Sequence, residues 1–134
     1  MKLLIVSHGP LAGAMKESAR MFFGETCDQI GTLELYPADS PDKLMLDIVD
    51  YVRQAEEDVL IFVDIIAGSP YNMTALAIEE LKGNHHVECF TGVNMPILME
   101  TLGMMKSESL AYIINHIEAI APDTITNLRK GLDI

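Results

Sequence analysis

The stretch Val59-Leu60-Ile61-Phe62-Val63 constrains the fold more than any other part of the chain. A strand with one wet face alternates apolar and polar residues, because successive side chains point to opposite sides. This run does not alternate. A short strand that is apolar throughout is what a parallel sheet requires when its crossover helices cover both faces. The acidic Glu56-Glu57-Asp58 precedes it and Asp64 ends it.

The remaining elements fit that frame. Leu3 to Ser7 is a second apolar run, closed by His8-Gly9-Pro10. Leu11, Met15, Ala19, Phe22 and Phe23 recur at helical spacing, and Gly24 follows, so a helix is predicted over about 10–23. Cys27 to Gln29 reads as a turn. Ile30 to Tyr36, with Leu33 and Leu35 around Glu34, reads as a strand near an edge. Ser40-Pro41-Asp42 is a helix start, with Ser as N-cap, Pro in the first turn and an early acid. Leu44, Met45, Ile48, Val49 and Val52 form that helix's apolar stripe. Ser69-Pro70 is a second N-cap and first-turn pair, opening a helix to about Lys82 before Gly83. Val87 to Thr91 is a fourth strand. Helices over 96–105 and from Leu110 to Ile120 follow, and Asp123 to Leu128 carries a short-strand pattern. Strands alternating with helices predict an α/β fold: an open, mostly parallel, doubly wound sheet of order 2-1-3-4 with helices on both faces. One domain over 1–134 is expected.

Composition excludes several classes. The net charge of −11 disfavours nucleic acid, whose phosphates call for Lys and Arg, and permits a basic protein partner. No apolar run reaches the roughly 18 residues of a membrane span. Nothing at the amino terminus reads as a leader, so a cytoplasmic location without membrane insertion is expected. Cys27 and Cys89 are too few for a disulfide framework and lack metal-ligand spacing. His85 and His86 are adjacent and do not converge on one ion, and His116 lies on the last helix. No metal and no cofactor are predicted.

Chemistry concentrates in three strand-to-helix loops: Ser7-His8-Gly9-Pro10, Asp64 to Pro70, and Gly92 to Pro96 with Asn94. In a parallel sheet all three share the carboxyl rim. With strands one and three adjacent, the switch point of the sheet falls between His8 and Asp64, where such folds bind ligands. A carboxylate there can accept from one imidazole nitrogen and leave the other as nucleophile. Helix N-termini at Gly9-Pro10 and Ser69-Pro70 would offer amides to an anion such as a phosphoryl group. A lone histidine at a strand end is more often structural. The carboxylate and the two helix starts beside it favour a histidine that accepts phosphate.

Three segments carry a resemblance: Ile5-Val6-Ser7-His8-Gly9, Val63-Asp64-Ile65-Ile66-Ala67-Gly68-Ser69-Pro70-Tyr71-Asn72, and Gly92 to Leu102. Together they resemble the mannose/fructose/sorbose-family enzyme IIA of the bacterial phosphoenolpyruvate-dependent sugar phosphotransferase system. The resemblance runs in order from residue 1 to about 105. It implies that His8 takes a phosphoryl group from HPr and passes it to enzyme IIB. It implies that Asp64 holds Nδ1–H and leaves Nε2 to react, and that Ser69 hydrogen-bonds the phosphoryl oxygens. Gly9, Pro10, Gly68, Asn72 and Asn94 then border the phosphoryl or partner-binding surface. It also implies a homodimer in which a C-terminal antiparallel strand, with Asp123 to Leu128 as candidate, is exchanged. Ala67 departs from the family pattern, which usually has the first of two glycines there. A free-standing subunit with no IIB domain is expected. Two other readings are a phosphohistidine signalling module, like the IIA-like subunit of the dihydroxyacetone kinase system, and a flavodoxin-like binding module. The second and third segments favour the sugar system over the former. His8-Gly9-Pro10 makes a poor phosphate loop for the latter.

Overall fold

The computed structural model describes residues 1–134. Its elements are β1 (Lys2–His8), α1 (Leu11–Phe23), β2 (Gly31–Leu35), α2 (Pro41–Ala55), β3 (Val59–Val63), α3 (Ser69–Leu81), β4 (Val87–Thr91), α4 (Met95–Met104), α5 (Leu110–Ile120) and α6 (Leu128–Leu132). Contacts divide the chain into two compact units, Met1–Val93 and Asn94–Ile134.

The first unit holds the whole sheet, of order β2-β1-β3-β4, with every pairing parallel. Fold class and strand order are therefore those expected. β3 is buried at all five positions, which is why its sequence does not alternate. β2 and β4, the edges, are half-buried along their length. Leu4, Val6, Val59, Ile61 and Val63 pack on the stripe Leu44, Ile48, Val49 and Val52 of α2 and on Ala77 and Leu81 of α3. The opposite face of β1 and β2 is met by α1 through Ala12, Met15 and Ala19. Each large apolar side chain so buried contributes about 1.5–3 kcal/mol, enough to hold the strand ends in place.

α2 starts as its sequence dictates: the Ser40 hydroxyl accepts from the Lys43 amide at 3.3 Å, with Pro41 behind it. Cys27 to Gln29 is not a simple turn but the end of a 3₁₀ helix over Gly24–Gln29, closed by the Ile30 amide on the Cys27 carbonyl.

The second unit is helical. The hydroxyl of Ser109 caps α5, accepting from the Tyr112 amide at 3.2 Å, and His116 Nε2 lies 3.0 Å from Glu100 Oε2. The strand expected over Asp123 to Leu128 is not formed. A 3₁₀ turn over Ala121–Asp123 leads into an irregular stretch, and α6 begins at Leu128. The local reason is the cap at Asn127, whose Oδ1 accepts from the Lys130 amide at 3.0 Å and starts a helix where Ile125 had suggested a strand. No helix is long and apolar enough to cross a membrane.

Candidate active site

The site is built where β1 and β3 end side by side, Val6 opposite Val63. The sheet order reverses here, with β2 on one flank and β3 on the other. The Asp64 amide continues the ladder by donating to the Val6 carbonyl at 3.3 Å, and its side chain reaches across to His8. Asp64 Oδ2 accepts from the His8 backbone amide at 2.9 Å and lies 2.8 Å from His8 Nδ1. Oδ1 accepts from the Ile65 amide at 2.9 Å. The Asp64 side chain is 7% exposed and that of His8 47%, so a shielded carboxylate holds a reachable ring.

Burial works to raise the Asp64 pKa. The His8 amide, the His8 imidazole and the Ile65 amide outweigh it and hold the carboxyl below its ordinary value. Asp64 is thus ionised at neutral pH and can only accept hydrogen bonds. In the neutral ring the proton then belongs on Nδ1, which leaves the lone pair on Nε2. That nitrogen and Cε1 face Gly68: a Cβ built at Gly68 would sit 3.1 Å from Cε1 and 3.3 Å from Nε2.

The loop after Asp64 adopts backbone conformations that side chains disfavour. Gly68 has φ +92° and ψ 171°. Ala67, a residue with a side chain, has φ +64°. The left-handed region costs such a residue about 1–2 kcal/mol. The loop brings the N-terminus of α3 to the ring. Ser69 is not the N-cap, as its sequence context suggested. Gly68 takes that place, in a conformation costly to any residue with a Cβ, and Ser69 is the first helical residue. The Asn72 amide closes the first turn on the Gly68 carbonyl at 2.9 Å. The amides of Ser69 and Tyr71 make no hydrogen bond within the protein, and Pro70 has no N–H. Two free donors at the positive end of a helix are what an anion binds.

The start of α1 is different, against the expectation of two converging anion sites. Pro10 occupies the N-cap position, one residue earlier than its expected place in the first helical turn. Gly9 turns the chain with φ +56°, and its amide donates to the Leu35 carbonyl at 2.8 Å. The Ala12 amide donates to Ser7 Oγ at 2.8 Å, and the Gly13 amide to Glu34 Oε1 at 3.0 Å. The first amides of α1 are largely spent within the protein.

A cleft of about 480 Å³ opens at the ring, lined among others by His8, Leu35, Tyr36, Asp39 and Ser69. Of the residues singled out by sequence, His8, Gly9, Asp64, Gly68 and Ser69 are together in the first unit. Asn72 is exposed on α3, with a free side-chain amide. Asn94 belongs to the second unit and its polar atoms are engaged. Its Oδ1 caps α4 through the Ile97 amide at 3.1 Å, and its Nδ2 donates to Thr124 Oγ1 at 2.9 Å. Ser7 and Glu34 were not singled out. The signal for Glu34 lay in Gly13: a glycine inside a helix marks a close approach, here a carboxylate oxygen 2.6 Å from where its Cβ would be.

Comparison with known proteins decides the family. The model of the PTS system fructose IIA component matches residues 2–118. This chain belongs to the PTS EIIA family. It is 30% identical over 133 residues to the fructose-specific EIIA component of Bacillus subtilis (strain 168), covering 98% of this chain and 88% of that one. It is 25% identical to the sorbose-specific EIIA component of Lacticaseibacillus casei, over 98% and 94% of the two chains. Among solved structures, the phosphotransferase system component EIIA from Streptococcus agalactiae superposes with TM-score 0.86 at 18% identity, over 96% and 98% of the chains, a likeness of fold. The PTS IIA protein associated with the fucose utilization operon from Streptococcus pneumoniae gives TM-score 0.76 at 28% identity, over 98% and 95%. EIIA components are phosphotransferase components of sugar transport systems, and this chain is one of that family.

Proposed function

We propose that this EIIA protein is a phosphocarrier: His8 Nε2 accepts a phosphoryl group from phospho-HPr and passes it to a histidine of the cognate enzyme IIB. The observation that carries the reading is the hold of Asp64 Oδ2 on both the backbone amide and Nδ1 of His8. In the transfer, the lone pair of Nε2 forms a P–N bond as the donor's P–N bond breaks. The donor nitrogen keeps the bonding pair, and the proton on Nδ1 stays with His8, shared with Asp64. Passage to enzyme IIB is the same exchange run onward. Bonds of like kind are made and broken, so the protein's task is positioning and charge stabilisation. The free amides of Ser69 and Tyr71, with the Ser69 hydroxyl, are suited to the phosphoryl oxygens; Gly9, Pro10 and Gly68 shape their surroundings.

Docking also has a candidate surface. Leu11, Ile65 and Ile66, close to the site residues in the chain, and Tyr36, which lines the cleft, are exposed apolar side chains that a protein partner would cover. The charge of −11 suits a basic donor. The relay touches a phosphoryl group and two proteins and needs neither metal nor cofactor; it would run in the cytoplasm. The sugar itself has no part in this site. A homodimer is part of the proposal, with exposed Ile125, Leu128, Leu132 and Ile134 as the apolar surface to be covered. A monomer mass by light scattering at micromolar concentration would remove that part.

The test is phosphorylation by phosphoenolpyruvate, enzyme I and HPr, read as acid-labile phosphate. Stoichiometric label on the wild type and none on His8→Ala is expected. Label that persists in His8→Ala overturns the assignment.

A further inference from the structure

We infer that Glu34 is a positioning residue for phosphoryl transfer: its carboxylate ties the first turn of α1 to the phenol of Tyr36 and so sets the wall of the cleft beside His8. The inference rests on the phosphocarrier reading above.

Glu34 sits on an edge strand, in register with Ser7, between Leu33 and Leu35. Its two oxygens have separate duties. Oε1 accepts from the Gly13 amide at 3.0 Å, and Oε2 accepts from the Tyr36 hydroxyl at 2.6 Å. Bonds to an ionised acceptor are shorter and stronger than neutral ones. The contact with α1 exists because residue 13 has no side chain; a Cβ there would stand 2.6 Å from Oε1. The contact with Tyr36 is felt by the phenol. Its hydrogen bond to Glu34, more than its burial, raises its pKa above the ordinary value. The backbone of Tyr36 is held as well, its amide donating to Asp39 Oδ2 at 2.8 Å. The segment from Glu34 to Asp39 is therefore tied down at both ends, and Leu35, Tyr36 and Asp39 line the cleft facing His8.

A second consequence follows from charge. An anion already occupies the first turn of α1, where it complements the helix dipole. A phosphoryl group is thereby left to the N-terminus of α3, where Ser69 and Tyr71 keep their amides free.

His8 is held independently by Asp64, so loss of Glu34 spares the reacting atom and disturbs the surface the donor must meet. That predicts a split in the kinetics. With phospho-HPr as donor, Glu34→Ala raises KM about tenfold, while kcat stays within about twofold. Glu34→Gln restores KM to near the wild-type value, since its Oε1 can accept from Gly13 and its amide can donate to the Tyr36 oxygen. A merely structural role would lower the active fraction and the melting temperature without moving KM. The contact is read separately by ultraviolet titration of the phenol, which needs no phosphoryl transfer. Tyr36, assigned by its absence in Tyr36→Phe, should titrate at lower pH in Glu34→Gln than in the wild type. An unshifted phenol removes the contact itself. A shifted phenol with unchanged KM, or with kcat falling alone, removes the positioning role. Wild-type protein that accepts no phosphate removes the phosphocarrier reading and leaves the phenol result standing.

Discussion

Gly68→Ala probes the site most sharply. The substitution adds one methyl group and has two separable costs. The first is conformational. At φ +92° and ψ 171° the backbone lies in a region used almost only by glycine, and holding alanine there costs about 2 kcal/mol. The second is steric. The new Cβ would stand 3.1 Å from Cε1 and 3.3 Å from Nε2 of His8. The ring cannot easily retreat, because Nδ1 is fastened to Asp64 Oδ2 at 2.8 Å. The conformational loss of about 2 kcal/mol should by itself lower the melting temperature by about 7 °C in a chain of this size. Against a typical stability of about 5–15 kcal/mol it leaves the protein folded at 25 °C. The effect on transfer should be far larger than the folded fraction explains. The methyl crowds the nitrogen that the proposed transfer would join to phosphorus, and a misplacement of about 1 Å already costs an in-line exchange about 100-fold, so a slowing of that order is expected. Scanning calorimetry gives the first quantity and quenched-flow transfer from phospho-HPr the second. Transfer within threefold of wild type would refute the reasoning, because it would mean that the loop is not fixed against the ring.

Two further perturbations separate the loop's strain from its chemistry. Ala67→Gly relieves a left-handed residue at φ +64° but adds freedom to the unfolded chain; the two terms, each about 1 kcal/mol, oppose each other, so thermal stability should move by less than about 0.5 kcal/mol. A gain of several kcal/mol on calorimetry would show that the strain at 67 had been misjudged. Asp64→Asn removes a carboxylate whose pKa is depressed in the fold, so wild-type stability from it is present above the ordinary carboxyl pKa and is lost as pH falls through the lower folded value. Urea melts should show the wild type more stable at pH 7 and the difference shrinking as the pH falls below about 4; a difference independent of pH would contradict the assignment of the charge.

The fold was legible because burial writes itself into the chain. Val59 to Val63 is apolar at every position since both faces of β3 are covered. Ser40-Pro41 marks a helix start that the structure reproduces. Where the reading failed, a non-local or stereochemical term decided. Ser69-Pro70 resembles a capped start, yet the residue before it must take a conformation open to glycine, and that shifts the cap to Gly68. Asp123 to Leu128 has the residues of a strand, but an edge to pair with is not a property of six residues. The helix capped by Asn127 needs only local bonds.

The candidate site divides along the same line. His8 and Asp64 can be found in sequence because both sit at ends of readable strands, and strand order alone brings them together. Glu34 cannot be found that way. It lies mid-strand at the edge, where a charged residue ordinarily means only solvent, and its partner Gly13 is a helix residue on a neighbouring element. What turns a strand acid into part of the site is register: pairing β2 with β1 so that Glu34 stands beside Ser7 aims the carboxylate at the first turn of α1. A slip of one residue would send it to the other face. The end of the site left open to an anion is thus chosen twice. Gly68 opens the start of α3, and Glu34, through a register no single segment specifies, closes the start of α1.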